Sequence, residues 1–183
     1  MRVITGKYRN LRLSTPANNR VRPTSDKVKE AIFSSIQFNL PNAYFLDLFS
    51  GTGQMGIEAL SRGAKKSVFV DKNLSLVREN LSKIKDINHN SDYSLLECDV
   101  LNSIKLCKNQ DLLFDIVFMD PPYNSSDISD ILKELSQILA PDAVVVCEHS
   151  STISLPECVS CLSLKQTRKY SSTTVTTYLK NSI

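Results

Sequence analysis

The sequence predicts an α/β fold built on a mostly parallel sheet, and three observations lead to this prediction. Short apolar runs alternate with helix-like segments five times between residues 44 and 147, and a glycine-rich loop follows the first run. Two β-rich runs, 163–170 and 173–179, then close the chain with Ser171-Ser172 between them. Since right-handed crossovers lay each helix against the sheet, such alternation gives parallel strands covered on both faces. The last two runs predict an antiparallel hairpin.

The elements follow from hydrophobic periodicity and from turn residues. Residues 2–13 alternate around Gly6 and predict a short basic β-hairpin, followed by a loop up to Pro23. Candidate N-cap residues at 24–26 begin a helix that extends to about Phe38. The later segments predict five strands and four helices: strands Tyr44–Leu48, Ser67–Val70, Ser94–Glu97, Phe114–Met119 and Ala143–Cys147, and helices Gln54–Arg62, Leu74–Lys85, Leu101–Cys107 and Ser129–Leu139.

Size and composition fit one domain spanning residues 1–183. The apolar fraction is 42%, and no run reaches the roughly 18–20 apolar residues that cross a bilayer, so we expect a soluble protein. The N-terminus has no readable secretory signal, and five cysteines form an odd set without framework spacing, which favours the cytoplasm. Cys158 and Cys161 lack a second close pair, so we expect no metal site, and we expect a monomer.

Positive charge is concentrated at the start of the chain. Residues 1–30 carry a net charge of +6, whereas the whole chain carries +3. Such a run can be a solvated arm or a footprint for nucleic-acid phosphates. We predict that residues 1–23 are an RNA-binding extension in which Lys7, Arg9 and Arg12 contact the RNA.

A candidate cofactor loop follows the first strand. Gly51, Gly53 and Gly56 form G-x-G-x-x-G at a strand-to-helix junction, and Asp71 lies at the end of the next strand, which also matches a dinucleotide fingerprint. A carboxylate at Asp47 would repel a pyrophosphate but attract the ammonium and sulfonium groups of S-adenosylmethionine. Asp71 would accept from ribose hydroxyls and Asp99 from the adenine amino group. Each aspartate alone could instead be a helix cap.

The fourth strand runs into Asp120-Pro121-Pro122-Tyr123. The Asp120 carboxylate and the Pro121 carbonyl can accept hydrogen bonds from an exocyclic amine and draw its lone pair back to nitrogen. Two prolines fix the turn, and Tyr123 can stack on a base that has swung out of its helix or loop. The tetrapeptide therefore indicates methylation of a base amine, with Asp120 as a candidate acceptor of the released proton.

Together these segments resemble the RsmD family of bacterial 16S rRNA guanine-N2 methyltransferases. The resemblance runs nearly end to end and rests on five segments: Arg22-Pro23-Thr24-Ser25-Asp26, Asp47-x-Phe49-x-Gly51-x-Gly53, Glu58-Ala59-Leu60-Ser61-Arg62-Gly63-Ala64, Asp120-Pro121-Pro122-Tyr123 and Glu148-His149-Ser150. It implies a Rossmann-like class I methyltransferase fold with seven strands, six of them parallel. It also implies a target guanine in 16S rRNA on a partly assembled small ribosomal subunit.

The resemblance also assigns roles. It places Asp47, Gly51 and Gly53 at the methionine end of the cofactor, with Asp71 at the ribose and Asp99 near the adenine. We assign their neighbours Phe49, Lys72 and Val100, together with Thr24, to the same cofactor site. Arg22 and Tyr123 would contact the guanine, and His149 would be structural or would position the substrate. The chain departs from the family at Gln54-Met55, at Asp71, where glutamate is frequent, and at Cys147.

Two other classes of function stay open on the sequence. An adenine-N6 methyltransferase shares Asp-Pro-Pro-Tyr, although so short a chain shows no separate target-recognition domain. A non-catalytic RNA-binding module could keep the fold, but it would have no need of an intact Asp120-Pro121-Pro122-Tyr123. Assays of methyl transfer on RNA and DNA would separate the three.

Overall fold

The described residues form a single sheet of eight strands. A computed structural model describes residues 1–16, 24–122 and 128–181. The strands are β1 (Tyr44–Leu48), β2 (Lys66–Asp71), β3 (Tyr93–Glu97), β4 (Phe114–Met119), β5 (Leu139–Ser150), β6 (Cys158–Val159), β7 (Leu162–Tyr170) and β8 (Thr173–Lys180). They lie in the order β3-β2-β1-β4-β5-β8-β7-β6. The first five are parallel, and β8 pairs antiparallel with both β5 and β7.

Five α-helices connect and cover these strands. They are α1 (Asp26–Ser35), α2 (Gln54–Ser61), α3 (Ser75–Ser82), α4 (Val100–Asn109) and α5 (Ile128–Leu135), with a 3-10 turn at Ser136–Ile138. Ser25 caps α1, because its hydroxyl accepts from the amide of Val28 at 3.3 Å. The order β1-α2-β2-α3-β3-α4-β4-α5-β5 confirms the predicted α/β class with an antiparallel C-terminal hairpin.

The sheet separates its apolar side chains into two layers. Val117, Met119 and Val145 pack with α4 and α5 on one face. Ile116, Phe118 and Val146 alternate with them and pack under α1 and α2 on the other. A smaller cluster joins α2, α3 and the N-terminal segment. Because side chains alternate along a strand, the last residues of β4 and β5 also divide between these two faces.

Several predicted boundaries differ from the structure. The short strand β6 makes eight strands where the resemblance implied seven. Strand β5 begins at Leu139, four residues earlier than predicted, and the pairing of β4 with β5 shifts register between Phe114 and Ile116. Helix α3 is shorter than predicted, ending at Ser82. The predicted N-terminal hairpin contains one antiparallel bridge, between Arg2 and Arg12, rather than two continuous strands.

This N-terminal hairpin is held by the side chain of Glu58 on α2. The fully buried Glu58 carboxylate accepts from the backbone amides of Ile4 and Thr5, at 2.8 and 3.0 Å. Two cations neutralise it: Arg62 Nε at 2.8 Å and the buried Lys29 Nζ at 3.5 Å. The Lys29 ammonium also donates to the carbonyl of Arg2 at 2.6 Å. The glutamate of the Glu58–Ala64 motif therefore has a structural role.

None of the helices in the described parts of the chain is long and apolar enough to span a membrane.

Candidate active site

Three acidic side chains lie on the same face of the sheet where adjacent strands end. Asp47 pairs in register with Phe118, which pairs with Val146, so Asp120 and Glu148 both follow two residues later on neighbouring strands. All three belong to the face covered by α1 and α2, because each lies two residues after a member of that apolar layer, namely Phe45, Phe118 and Val146. No ion pair formed between described residues reaches any of these carboxyl groups. The edge of the sheet thus concentrates acidic groups.

Asp47 lies at the centre of this edge and is 1% exposed. Its Oδ2 accepts from the amide of Gly56 on α2 at 2.9 Å. Burial raises its pKa well above the usual range, the Gly56 bond opposes this, and the charges of Asp71 and Asp120 add to the increase. A cation bound at this point would stabilise the ionised form of Asp47.

Asp120 and Glu148 influence each other's ionisation. Burial, followed by the charge of Glu148, raises the pKa of Asp120 to about 8. Burial also raises the pKa of Glu148, which is 4% exposed, although a hydrogen bond from Thr24 lowers it. The Thr24 hydroxyl donates to Glu148 Oε2 at 2.8 Å. Two carboxyl groups on adjacent strand ends therefore share an environment that resists a second negative charge.

Two glycines of the glycine-rich loop differ in their surroundings: there is open space beside Gly51, whereas Gly56 is closely packed. Gly51 has a φ of +53°, and a Cβ built there would have Phe49 O as its nearest neighbour, 3.9 Å away. At Gly56 a Cβ would lie 2.3 Å from the Phe69 ring, so this glycine lets α2 pack against β2. Gly53 precedes α2 as its N-cap. The open side of the loop is therefore beside Gly51.

Asp71 holds this loop from the end of β2. Its Oδ2 accepts from the amide of Gly51 at 2.8 Å, and its Oδ1 accepts from the amide of Asn73 at 3.3 Å. The side chain is partly exposed and the neighbouring Lys72 is exposed. Asp71 therefore fixes the backbone of Gly51, and its contact with a ribose stays a prediction.

Asp99 has a local structural partner. It caps α4: Oδ1 accepts from the amide of Asn102 at 3.0 Å, and the Asn102 side chain donates to Oδ2. Val100 begins α4 and is buried in the layer between the sheet and that helix. Phe49, with a φ of +59°, packs partly buried against the same layer. Their predicted adenine and cofactor contacts remain predictions.

His149 follows Glu148 but points to the opposite face. Its Nδ1 lies 3.0 Å from the carbonyl of Ser150, and its Nε2 lies 2.8 Å from the hydroxyl of Thr176 on β8. Burial lowers its pKa, while the Ser150 contact opposes this effect. The structure therefore separates His149 from the Asp120 side of the sheet.

The predicted RNA contacts occupy two ends of the hairpin. The amide of Lys7 donates to the carbonyl of Ser61, the last residue of α2, at 2.7 Å, which places Lys7 and Arg9 at the sheet edge remote from Asp120. Arg12 bridges to Arg2, whose neighbour Met1 contacts Thr52 in the cofactor loop at 3.6 Å. Arg12 is thus the nearest of the three to the candidate site.

Part of the predicted site falls outside the described residues, namely Arg22 and Tyr123. Pro121 is buried and Pro122 is exposed at the end of β4. Sequence reasoning gave Glu148 no chemical role, because its proximity to Asp120 depends on which strands are neighbours. It likewise gave no role to Gln54, whose buried Oε1 has no hydrogen-bond partner among the described residues. In the same parts of the chain, no group of three or more candidate ligands could hold a metal ion.

Comparisons with known proteins match this arrangement over almost the whole chain. The sequence model of a family described as "Conserved hypothetical protein 95" matches residues 1–179. YlbH of Bacillus subtilis, provisionally named an rRNA methyltransferase, is 34% identical over 182 residues, covering 98% of this chain and 99% of YlbH. The ribosomal RNA small subunit methyltransferase D of Haemophilus influenzae is 30% identical, covering 81% of this chain and 78% of that protein. The chain belongs to the RsmD family.

A solved structure agrees with this membership. Escherichia coli yhhF, provisionally called a methyltransferase, superposes with a TM-score of 0.82 at 25% identity, covering 98% of this chain and 97% of yhhF. A further structure, in complex with SAH, shares only the fold at 15% identity and a TM-score of 0.66, covering 80% of this chain and 49% of that chain. This RsmD-family chain therefore has a methyltransferase fold, and the position of its acidic cluster can be interpreted on that basis.

Proposed function

We propose that this chain transfers a methyl group from S-adenosylmethionine to the exocyclic N2 amine of one guanine in 16S ribosomal RNA. The observation that carries the proposal is the alignment of Asp47, Asp120 and Glu148 on one face at the carboxyl edge of the sheet, with Pro121 beside Asp120. In open α/β sheets ligands bind at this edge. The names of the curated relatives support rRNA as the substrate class.

The residues present fit S-adenosylmethionine better than a dinucleotide. Asp47 is buried, and the positive charge of S-adenosylmethionine would stabilise its ionised carboxylate. The negative charge of a pyrophosphate would instead be repelled by that carboxylate. The space beside Gly51 admits a ligand close to the backbone, and the orphaned Gln54 Oε1 offers an acceptor for an ammonium hydrogen. Asp47 and Gln54 would hold the methionine end, and Asp71 would reach the ribose. When bound, the cofactor supplies an electrophilic methyl group.

The residues after β4 would orient the amine. The Asp120 carboxylate and the Pro121 carbonyl accept from the NH2 group, which localises the nitrogen lone pair for attack on the methyl carbon. The methyl group would pass to the amine nitrogen with an N–C bond replacing the cofactor's C–S bond, whose electron pair would remain with the departing cofactor. The nitrogen then loses a proton to Asp120 or to water. The ionised form of Asp120 is the one that can perform both tasks.

The substrate would be presented on a partly assembled small ribosomal subunit in the cytoplasm, and the enzyme would act as a monomer. The family membership supports the guanine target over an adenine, although Asp120-Pro121-Pro122-Tyr123 by itself fits either amine. The same site chemistry would serve an adenine-N6 methyltransferase, so the identity of the methylated nucleoside separates the two.

Two measurements test the proposal. Calorimetry should show binding of S-adenosylmethionine, and Asp71→Ala should weaken that binding by about 1–3 kcal/mol, because the ribose hydroxyls then have no acceptor. Binding of NAD without binding of S-adenosylmethionine would overturn the cofactor assignment. With labelled cofactor, partly assembled small subunits should yield labelled N2-methylguanosine, whereas label in N6-methyladenosine or in DNA would overturn the substrate assignment.

A further inference from the structure

A cavity lies at the carboxyl edge, on the opposite face of the sheet from Glu148. It has a volume of about 210 Å³ and is enclosed by the ends of β5, β7 and β8 and by the segment after Ser150. Its polar lining consists mainly of hydroxyl groups, with one cation at the rim, and includes His149, Ser151, Thr167, Lys169, Thr174 and Thr176. The site proposed for the cofactor and the amine uses none of these groups.

The hydrogen bonds of His149 fix the direction of its hydroxyl neighbours. The Ser150 carbonyl can only accept, so Nδ1 of His149 donates to it, and Nε2 of the neutral ring must accept from the Thr176 hydroxyl. The lowered pKa of His149, caused by burial, favours this neutral ring. Having donated its hydrogen, Thr176 accepts from Thr167 at 3.4 Å. The oxygen of Thr167 is therefore left as an acceptor toward the cavity.

A second series of hydrogen bonds also uses up the hydroxyl hydrogens at the cavity. Thr174 donates to Ser151 Oγ at 2.9 Å, and Ser151 Oγ donates to the carbonyl of Ser171 at 3.3 Å. The oxygen of Thr174 is also left as an acceptor. The cavity thus presents acceptors on its floor, and these suit a ligand that brings hydroxyl donors.

The rim of the cavity has positive charge. Residues 158–183 contain no aspartate or glutamate, and of their four cationic residues it is Lys169 that lines the cavity. Lys169 is exposed at the cavity, and none of the ion pairs between described residues involves it. A ligand that has both hydroxyl donors and a negative charge matches this floor and rim.

The cavity is close to the candidate reaction centre. His149 lies on β5, beside strand β4, which ends just before Asp120, and Thr174 and Lys169 lie one and two strands further along. At a strand spacing of about 4.8 Å, these residues are roughly 5–15 Å from Asp120 along the edge. A nucleotide adjacent to a flipped base could reach this distance.

We propose that this cavity binds the ribose and phosphate of an RNA nucleotide next to the methylated one, an inference that rests on the proposed function. Its hydroxyl acceptors would bind the 2′-hydroxyl, which distinguishes RNA from DNA, and Lys169 would bind the phosphate. Bound there, the strand would pass along the carboxyl edge of the sheet with its target base directed toward Asp120.

Single-stranded RNA and DNA oligonucleotides of one sequence test the proposal in a fluorescence-anisotropy binding assay. The wild type should prefer RNA, and Thr167→Val should reduce that preference about 2- to 10-fold by removing one acceptor. Lys169→Ala should reduce the salt slope of RNA binding by about 0.7, the value for a single phosphate on a single strand. The matched control is Lys165→Ala, which removes another exposed charge from the same strand outside the cavity.

Equal effects of Lys169→Ala and Lys165→Ala would overturn the site, because both lysines would then attract RNA only through their general surface charge. Equal binding of RNA and DNA by the wild type, or no RNA binding at all, would also overturn it. The failure of the proposed function is distinguishable. A wild-type chain that binds RNA in the expected pattern but transfers no methyl group contradicts the methyltransferase assignment alone.

Discussion

Asp120 is the side chain whose chemistry depends most on its neighbours. It is close to the buried Glu148 carboxyl group, and Thr24 donates to that second carboxyl group rather than to Asp120. Among the described residues no side chain donates to Asp120, so its carboxylate can accept from a ligand, while the charge of Glu148 on the adjacent strand influences its ionisation. Both its acceptor role and its titration can be measured.

The acceptor role is tested by removing the carboxylate. Asp120→Ala should slow methyl transfer by about a hundredfold or more, since the oxygen that localises the amine lone pair is absent as charge develops. Single-turnover kinetics with bound cofactor would measure this change, and calorimetry should show that S-adenosylmethionine still binds. An unchanged single-turnover rate would remove Asp120 from the mechanism.

The titration of Asp120 should appear in the pH dependence of the reaction. Since burial and Glu148 raise the pKa of Asp120 to about 8, kcat/KM for the cofactor should rise with pH and level off above this value. Glu148→Gln keeps an acceptor for Thr24 but removes the like charge, so the midpoint should move to lower pH. A midpoint that stays in place or moves upward in the variant would contradict the electrostatic coupling.

The stability of the ligand-free fold should change with pH in the opposite direction to the activity. The folded pKa of Asp120 lies above its unfolded value, so the ligand-free fold loses stability as pH rises between roughly 4 and 8, where only the unfolded carboxyl group ionises freely. Binding of a cationic cofactor should offset part of this loss. The site therefore has a charge arrangement that is unfavourable in the empty protein.

At the scale of elements, the N-terminal hairpin depends on helix α2. Backbone amides of the hairpin bind the Glu58 carboxylate, which also neutralises the buried Lys29. Glu58→Gln should lower the free energy of unfolding by about 3 kcal/mol, because it leaves the buried Lys29 ammonium with only the more distant Asp26 carboxylate, at 3.9 Å. Urea denaturation would measure this value.

The matched control for Glu58→Gln is Asp130→Asn, which breaks the exposed Asp130–Lys133 pair. Exposed pairs contribute about 0–1 kcal/mol, so the control should change stability little. Similar losses in the two variants would mean that the Glu58 contacts contribute no more than a surface pair.

The sequence predicts the central elements well, because strong hydrophobic patterns define them. Strands Tyr44–Leu48 and Phe114–Met119 have the predicted bounds. The start of β5 could not be predicted: Pro141 lacks an amide hydrogen and Asp142 has a φ of +58°, so this region resembles a turn, although Leu139 before it pairs with Phe114 of β4. The N-terminal hairpin has little strand pairing because a side chain of α2 binds much of its backbone.

The same limit applies to the candidate site. Residues after individual strands, such as Asp47 and Asp120, can be identified from local motifs. The pairing of Thr24 with Glu148 joins residues 124 positions apart and depends on the order of strands and on helix α1. For Asp99 the local sequence fits two roles. It follows a strand, as a cofactor ligand would, but in the structure it is also the N-cap of α4.

At the scale of the whole molecule, the N-terminal hairpin extends from the carboxyl ends of the parallel strands toward their amino ends. Arg12 lies toward the carboxyl ends of the strands, near the start of α2. Lys7 and Arg9 lie near the end of α2, and the start and end of this helix are about 12 Å apart. If RNA follows the hairpin, Arg12→Ala should flatten the salt dependence of binding for short and long RNA alike, by about 0.7–0.9 for each phosphate no longer neutralised. The double variant Lys7→Ala, Arg9→Ala should do so only for long RNA.

Salt titrations of RNA binding measure these slopes, and cofactor affinity should stay at the wild-type value throughout as the internal control. Identical slopes in the wild type and in all three substitutions combined would mean that the hairpin is a solvated face. The RNA would then be bound elsewhere, and the basic strand β7 would be the next surface to test.

Methylation of a guanine amine in small-subunit ribosomal RNA is tested most directly in cells that lack the protein. Their small-subunit rRNA is analysed by nucleoside mass spectrometry and then incubated with S-adenosylmethionine and purified protein. We expect one N2-methylguanosine to be missing, to be restored by the wild type, and not to be restored by Asp120→Ala. A full complement of N2-methylguanosine in the cells that lack the protein would contradict the proposed function.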